Sequence, residues 1–336
     1  MNKEYNIQLD KLCEHLGLGK LIGEPEQVFG GHLHRMCAVA AFTGKYAVKA
    51  LNPQVMLRPE AKQNMINSEL VAQTAAKCVP ALPAKILKNN FLHKHDGQYY
   101  MLFDWIEGRS IFADELSTDH CNKIGRVLAG IHKIDFRKLV FDDRTYHEES
   151  LIDWNFYLQL GEKQNESWVV LFSENIDFLY KKNNALISAA ARLDKNVVIS
   201  HCDLEPKNVI WQEDKPIVID WEAAGVIHPM HDLLETALYL SEDNGNIDKN
   251  KFVSFVEGYR DVADKIDSDW CAIFDKGWGA KLGWLEYSLK RSLGIECSGE
   301  DEKKMGSEHV FGTIKMLHEY ENMRGQIISL MTENSF

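Results

Sequence analysis

The sequence is poor in several features that would settle its class at once. Its 336 residues hold only seven cysteines, at positions 13, 37, 78, 121, 202, 271 and 297, with no C-x-x-C pair and no Cys/His spacing suited to zinc. An odd, scattered set in a chain of this size argues against a disulfide framework and points to reduced thiols. No stretch approaches the roughly 18 uninterrupted apolar residues that a membrane span needs, and there is no internal repeat or low-complexity tract. Positive charge is also short: 38 Lys and Arg stand against 50 Asp and Glu, a net charge of −12, which argues against nucleic acid as a partner. The opening stretch MNKEYNIQLDKLCEHLGLGK lacks the apolar core of a signal peptide and reads instead as a short amphipathic helix carrying Ile7, Leu12 and Leu16. These absences lead to the expectation of a cytoplasmic globular protein with no membrane partner; oligomeric state is not legible.

What is present divides unevenly. Residues 1–103 hold 12 Lys/Arg and 8 Asp/Glu, whereas residues 104–336 hold 26 and 42, a balance of −16. An acidic half is ordinarily a solvated surface, and it also suits a region that attracts a cationic ligand. Within the first part, EQVFGGHLHRMCAVAAFTGKYAVKALN (26–52) reads as strands separated by glycine-containing turns. The pair Gly30-Gly31, taken alone, reads first as a structural turn; the alternative is a loop whose backbone N–H groups approach phosphate oxygens, because no Cβ intervenes. Alternation sets Val48 and Ala50 on one face of a strand and Lys49 on the other. RPEAKQNMINSELVAQTAAKC reads as a helix beginning near Pro59, with Met65, Leu70 and Ala72 on its apolar side and Glu69 among its polar residues.

The segment VVISHCDLEPKNVIWQEDKPIVIDWEAAG (197–225) carries most of the chemistry. VVIS, NVIW and PIVID are short buried strands and QEDKP is the turn between the last two, so His201, Asp203 and Asn208 fall on a loop and Asp220 at a strand end. HCDLEPKN resembles the catalytic loop H-R-D-L-x-x-x-N of protein kinases, with Cys202 in place of the Arg. That resemblance implies that Asp203 faces an acceptor hydroxyl while Asn208 and Asp220 hold Mg²⁺, since phosphoryl transfer needs alignment and charge neutralisation more than covalent help. His201 is expected to brace this catalytic loop rather than to take a proton. By the same resemblance YAVKALN is the strand whose Lys49 grips the phosphates of ATP, Glu69 positions Lys49, and YYMLFDWI is a hinge. There the backbone of Asp104 and Ile106 would meet adenine and Phe103 would close the pocket.

Four stretches in order, FGGHLHRMCAV, HCDLEPKNVIW, IDWEAAGVIHPMHDLLETALYL and FVEGYRD, resemble the aminoglycoside phosphotransferase/choline kinase family, a small-molecule branch of the protein-kinase-like fold. The resemblance covers about residues 28 to 261. It implies an α+β, two-lobed fold: a nucleotide-binding lobe over 1–103, built from a small antiparallel sheet, and a mainly helical catalytic and substrate-binding lobe over 104–336. A protein kinase is disfavoured because only twelve residues separate Asp220 from Asp232, which opens the apparent helix DLLETALYL, with no A-P-E and no room for a peptide-docking segment. Asp220-Trp221-Glu222 also stands in for D-F-G.

The expected reaction is Mg·ATP-dependent transfer of the γ-phosphate to a hydroxyl of a small polar, cationic molecule. Glu205, Glu222 and Glu286 would line the acceptor site, and Trp154, Trp278, Trp284 and Tyr287 would supply cation–π contacts, although each tryptophan also fits helix-packing core. Choline, homoserine, thiamine, a methylthio-sugar or a macrolide remain open as acceptors. So does a catalytically inactive nucleotide-binding protein, a reading that the presence of Lys49, Asp203, Asn208 and Asp220 disfavours.

Overall fold

The computed structural model describes residues 5–28, 34–112, 114–137, 139, 151–193, 195–243, 245–263, 265–297 and 299–334. Gly30 and Gly31 lie outside them. The chain adopts the expected α+β class and divides into two compact units, each treated by itself below.

The first unit draws on Met1–Leu116, Val127–Asp143 and Ile199–Val226. Helix α1 (Leu9–Leu16) leads to strands β1 (Glu26–Val28), β2 (Arg35–Ala41) and β3 (Gly44–Ala50), then helix α2 (Ala61–Ala75) and strands β4 (His93–His95) and β5 (Gln98–Asp104). The five strands form one antiparallel sheet in the order β1-β2-β3-β5-β4. Its two faces explain the pattern of β3. Val48 and Ala50 pack with Leu12, Leu16, Val39 and Leu102 under α1, while Met65 of α2 packs with Met101 on the opposite side, the side to which a two-residue period sends Lys49. Helix α2 starts two residues after the expected Pro59. Met65, Ser68, Glu69, Ala72 and Ala75 form its buried face, a spacing of three and four, and Leu70 lies off that stripe, 39% exposed.

The later part of this unit supplies β6 (Val198–Ser200), β7 (Val209–Gln212), β8 (Lys215–Val218) and β9 (Gly225–Ile227), with β6 paired to β9 and β7 to β8. The β7–β8 hairpin registers Val209 against Val218 and Gln212 against Lys215, as the apolar runs on either side of the Glu213-Asp214 turn require. The hairpin is tied back to the sheet. Leu82 N–H donates to the Val218 carbonyl at 2.9 Å, Val218 N–H to that of Pro80 at 2.7 Å, and Lys85 N–H to that of Leu102 at 2.7 Å. Beyond β5, Arg109 and Trp211 exchange backbone hydrogen bonds. Gly108 permits that approach, since a Cβ there would meet the Trp211 carbonyl oxygen at 2.4 Å.

The second unit, Ser117–Arg126, Arg144–Val198 and Ile227–Phe336, is mainly helical: α3 (Thr118–His132, whose first part groups here), α4 (Trp154–Gln164), α5 (Val169–Arg192), α6 (Pro229–Ser241), the short hairpin β10 (Glu242–Asp243) and β11 (Asn246–Ile247), α7 (Lys249–Arg260), α8 (Trp270–Lys276), α9 (Trp278–Ser292) and α10 (Glu300–Glu333). Helix α6 begins with Pro229, three residues before Asp232, because the His228 side chain caps the Met230 N–H. The glycine of FVEGYRD has a packing role. A Cβ on Gly258 of α7 would meet the Asn122 carbonyl of α3 at 2.0 Å, and one on Gly125 of α3 the Phe255 carbonyl of α7 at 2.1 Å. Among the described residues no helix is long and apolar enough to cross a membrane.

Candidate active site

The loop after β6 is folded around His201. Its ring is fully buried, with Nε2 at 2.9 Å from the Ile219 carbonyl oxygen and Nδ1 accepting from the Asp203 N–H at 3.3 Å. These two contacts set Nε2 as the donor. The Trp221 indole meets the imidazole edge-on at 4.8 Å and donates to the Val218 carbonyl. His201 therefore holds the loop to the end of β8. Two non-glycine residues at the turns, Cys202 (φ 61°) and Asp220 (φ 59°), adopt left-handed backbone, a conformation that costs on the order of 1 kcal/mol or more and concentrates at functional sites. The Cys202 thiol points at the Ser200 and Gly225 carbonyls.

Asp203 and Asn208 meet directly. A 3₁₀ turn, Pro206–Asn208, brings the Asn208 Nδ2 to 2.7 Å from the Asp203 carbonyl oxygen and 2.9 Å from its Oδ2. With the amide nitrogen committed, Asn208 Oδ1 has no protein donor among the described residues. Lys207 Nζ lies 3.0 Å from Glu205 and 3.8 Å from Asp203. Burial and the neighbouring Asp203 carboxylate push the Glu205 carboxyl up against the opposing pull of Lys207.

Lys49 is the second focus. It is 9% exposed, and its ammonium donates to Asp220 Oδ1 at 2.8 Å and to Glu222 Oε2 at 2.6 Å. Burial lowers its pKa, but the two carboxylates outweigh that and raise it. Glu222 has a second cation-capable neighbour that sequence reasoning missed: His34 Nε2 lies 3.2 Å from Glu222 Oε2, off the line of a well-formed hydrogen bond. The His34 Nδ1 accepts from the Asn52 N–H at 2.9 Å, which fixes Nε2 as the protonated nitrogen. Burial raises the Glu222 carboxyl, yet His34 and Lys49 prevail and hold it down at about 2. His34 carries no recognisable motif; only the register of β2 against β3, which sets Arg35 opposite Ala50, brings it beside the end of the Lys49 strand.

Lys49 and Glu69 form no ion pair, contrary to the arrangement expected from the sequence. Glu69 Oε1 accepts instead from the Ala84 N–H at 2.6 Å and from Gln73 at 3.1 Å. Both residues nevertheless line one small cavity, with Met65, Met101, Phe103 and Asp220. Burial pushes the Glu69 carboxyl up to about 7, against the Ala84 amide, Gln73 and Lys49. A carboxyl raised in the folded state binds its proton more tightly folded than unfolded. Wild-type stability therefore falls as pH rises from the ordinary carboxylate range to about 7. Glu69→Gln keeps an oxygen for Ala84 and removes that slope, so chemical denaturation at pH 5 and pH 8 separates the two proteins. Parallel pH–stability curves would dismiss the assignment.

At the expected hinge, Asp104 ends β5, exposed, with its carboxylate 2.6 Å from Lys85 Nζ. The Trp105 N–H returns to the Lys45 carbonyl at 3.2 Å, and Ile106 and Phe103 are half-buried. The residues expected to line an acceptor site separate into several environments. Glu205 stays on the catalytic loop beside Lys207, while Glu222 belongs to the Lys49 cluster. Trp154 and Trp278 are fully buried in the helical unit's core, Trp154 against Phe172 and Trp278 against Phe274 and Tyr320. Glu286 accepts from the Tyr157 hydroxyl at 2.6 Å and pairs with Lys290 at 3.3 Å. Trp284 and Tyr287 are 43% and 38% exposed.

The donor set suits a hard cation. Asn208 Oδ1 and the Asp220 oxygen not taken by Lys49 are the ligand type Mg²⁺ prefers, and Mg²⁺ typically takes few protein ligands and completes its shell with water and phosphates. Among the described residues no three His, Cys, Asp or Glu side chains converge as a metal cluster.

The model of the phosphotransferase enzyme family matches residues 30–264. Among solved structures, the chain is similar to a spectinomycin phosphotransferase in complex with ADP and spectinomycin, at 14% identity and TM-score 0.63 over 93% of this chain and 100% of that one. It is similar to an amicoumacin kinase in complex with AMP-PNP and Ca²⁺, at 12% identity and TM-score 0.65 over 92% and 93%. An ethanolamine kinase from Plasmodium vivax shares 14% identity and TM-score 0.57 over 88% and 81%. At these identities the likenesses establish the fold. No curated protein matches the chain.

Proposed function

The chain belongs to the phosphotransferase enzyme family, and we propose that it transfers the γ-phosphate of Mg·ATP to a hydroxyl of a small polar, cationic molecule. The observation that carries this reading is the Asp203–Asn208 pair on one loop, in the same compact unit as the Asp220–Lys49 pair. Residues 1–103 are assigned to nucleotide binding, with the hinge at Phe103, Asp104 and Ile106 and the glycine pair Gly30-Gly31 over the phosphates. Residues 104–336 are assigned to catalysis and acceptor binding, and the site of action is the cytoplasm.

In this reading Lys49 leaves Asp220 and Glu222 for the phosphate oxygens, and His34 keeps Glu222 from following it. Asp203 accepts the hydroxyl proton as the acceptor oxygen forms its bond to the γ-phosphorus. The bond from that phosphorus to the bridging oxygen breaks, and ADP leaves with the electron pair. Asn208, held through its amide nitrogen, and Asp220 would hold Mg²⁺, which neutralises charge on the phosphates. Glu205 and Lys207 flank Asp203 and tune its surroundings.

A coupled assay of ADP release across aminoglycosides, choline, homoserine, thiamine, a methylthio-sugar and a macrolide tests the acceptor class. A cationic acceptor is expected to raise ADP release above the acceptor-free background. Stimulation by the macrolide alone would defeat the cationic reading and leave the reaction type in place.

A further inference from the structure

Among the described residues of the helical unit, a buried cation stands without an anion. Arg291, near the end of α9, is 8% exposed. Among the described residues its Nε–H, sealed from solvent, has no acceptor, and its only polar contact is from an Nη to the Met305 thioether at 3.7 Å. Among the described residues no carboxylate pairs with it. Nearby acids are engaged elsewhere: Glu286 with Tyr157 and Lys290, Glu296 with Lys290 at 3.7 Å, and Glu166 with Lys303, Ser292 and Ser307. The Tyr287 ring, 5.5 Å from the guanidinium carbon, returns only part of the hydration that burial removes. A buried charge ordinarily has a counter-charge or a coordinating partner, and here the described residues supply no carboxylate.

The surroundings give the missing partner a shape. Trp284, Tyr287 and Arg291 recur at helical spacing along α9, so they share one face. The Trp284 and Tyr287 rings lie 5.7 Å apart and are both substantially exposed. From α10, Met305 borders Arg291 and is 44% exposed, and His309 lies 5.4 Å from the Trp284 ring, with a buried Nδ1 that has no partner among the described residues. Aromatic and thioether surface next to a planar, unpaired fork of N–H donors is the complement of an organic anion with a flat apolar body.

We propose that this α9–α10 face binds a small organic anion, its carboxylate or phosphate meeting Arg291 and its ring or apolar body lying on Trp284 and Tyr287. The site lies within one compact unit and its test reads binding alone, so it does not depend on the phosphotransfer reading.

The experiment is calorimetric titration of the intact chain with benzoate, phenyl phosphate, inorganic phosphate and, as an uncharged control, benzyl alcohol. Benzoate or phenyl phosphate is expected to bind and benzyl alcohol not to; the tighter of the two identifies the headgroup. Arg291→Met weakens the aryl anions at least tenfold. Trp284→Ala weakens them while leaving inorganic phosphate unchanged. Melting curves keep the test decisive. Since the guanidinium has no carboxylate to lose, Arg291→Met and Arg291→Gln melt no lower than wild type in anion-free buffer, and only wild type is stabilised by the anion. Equal affinity in wild type and Arg291→Met, no binding by any anion, or lowered melting in both variants with no anion response in wild type, each overturns the proposal.

Discussion

Asp203→Ala keeps nucleotide binding and lowers turnover by about 10²- to 10⁴-fold, the usual contribution of a positioned general base. The binding half of this expectation comes from how the loop is held. Asn208 reaches the Asp203 main-chain carbonyl at 2.7 Å as well as the carboxylate, so removing the side chain leaves the Asn208 amide with a partner and its Oδ1 still directed away. His201 likewise accepts from the Asp203 N–H and contacts Ile219, none of which involves the Asp203 carboxylate. The loop therefore survives the substitution, and the melting temperature stays close to wild type. Lys207, 3.8 Å from Asp203, retains Glu205 as its partner. Steady-state kinetics and nucleotide titration on one preparation check both halves. Unchanged turnover in the variant would remove Asp203 from the role given to it.

Lys49→Met acts on stability and on nucleotide affinity together. Without the ammonium, Asp220 and Glu222 lose the cation that bridges them at 2.8 and 2.6 Å, and only His34 remains beside Glu222. Removing one member of a buried ion cluster can cost several kcal/mol, but the carboxylates here are 37% and 28% exposed. Water screens much of the repulsion, and a cost of about 1–2 kcal/mol is expected. A divalent cation supplies the missing positive charge, so the gap in melting temperature narrows when Mg²⁺ is added. For the nucleotide, loss of a charge-assisted contact of about 1.5–3 kcal/mol raises the KM for ATP by roughly tenfold to a hundredfold. Thermal melting with and without Mg²⁺, paired with the KM, checks the account. A variant as stable as wild type with an unchanged KM would show that Lys49 serves neither function.

Much of this is legible in the sequence. The largely apolar runs at 198–200, 209–212 and 215–218 bracket a loop too short to wander, and a five-residue separation suits a turn in which Asn208 folds back onto Asp203. Strand alternation likewise separated Lys49 from Val48 and Ala50, because the sheet has a core on each face. Which carboxylate Lys49 meets was not readable. Glu69 sits on the buried face of α2, but the Pro80–Lys85 segment delivers the Ala84 N–H to it, and no local pattern announces that contact. His34 escaped for the same reason, since its place follows from strand register. The tryptophans show a further limit. Trp154 and Trp284 both sit on amphipathic helices with comparable neighbours, and only the phase of each helix against its packing partners makes one core and the other surface. Leu70 shows the same ambiguity: its apolar neighbours suggest the buried side of α2, and the phase of the helix leaves it 39% exposed.

The central claim, that Lys49, Asn208 and Asp220 form a Mg²⁺-dependent nucleotide site, is tested most directly by calorimetric titration of the intact protein with AMP-PNP. The account predicts saturable one-to-one binding in the presence of Mg²⁺, marked weakening when Mg²⁺ is chelated, and loss of that Mg²⁺ dependence in Asp220→Ala. The absence of nucleotide binding by wild type, or binding indifferent to both Mg²⁺ and Asp220, would contradict it.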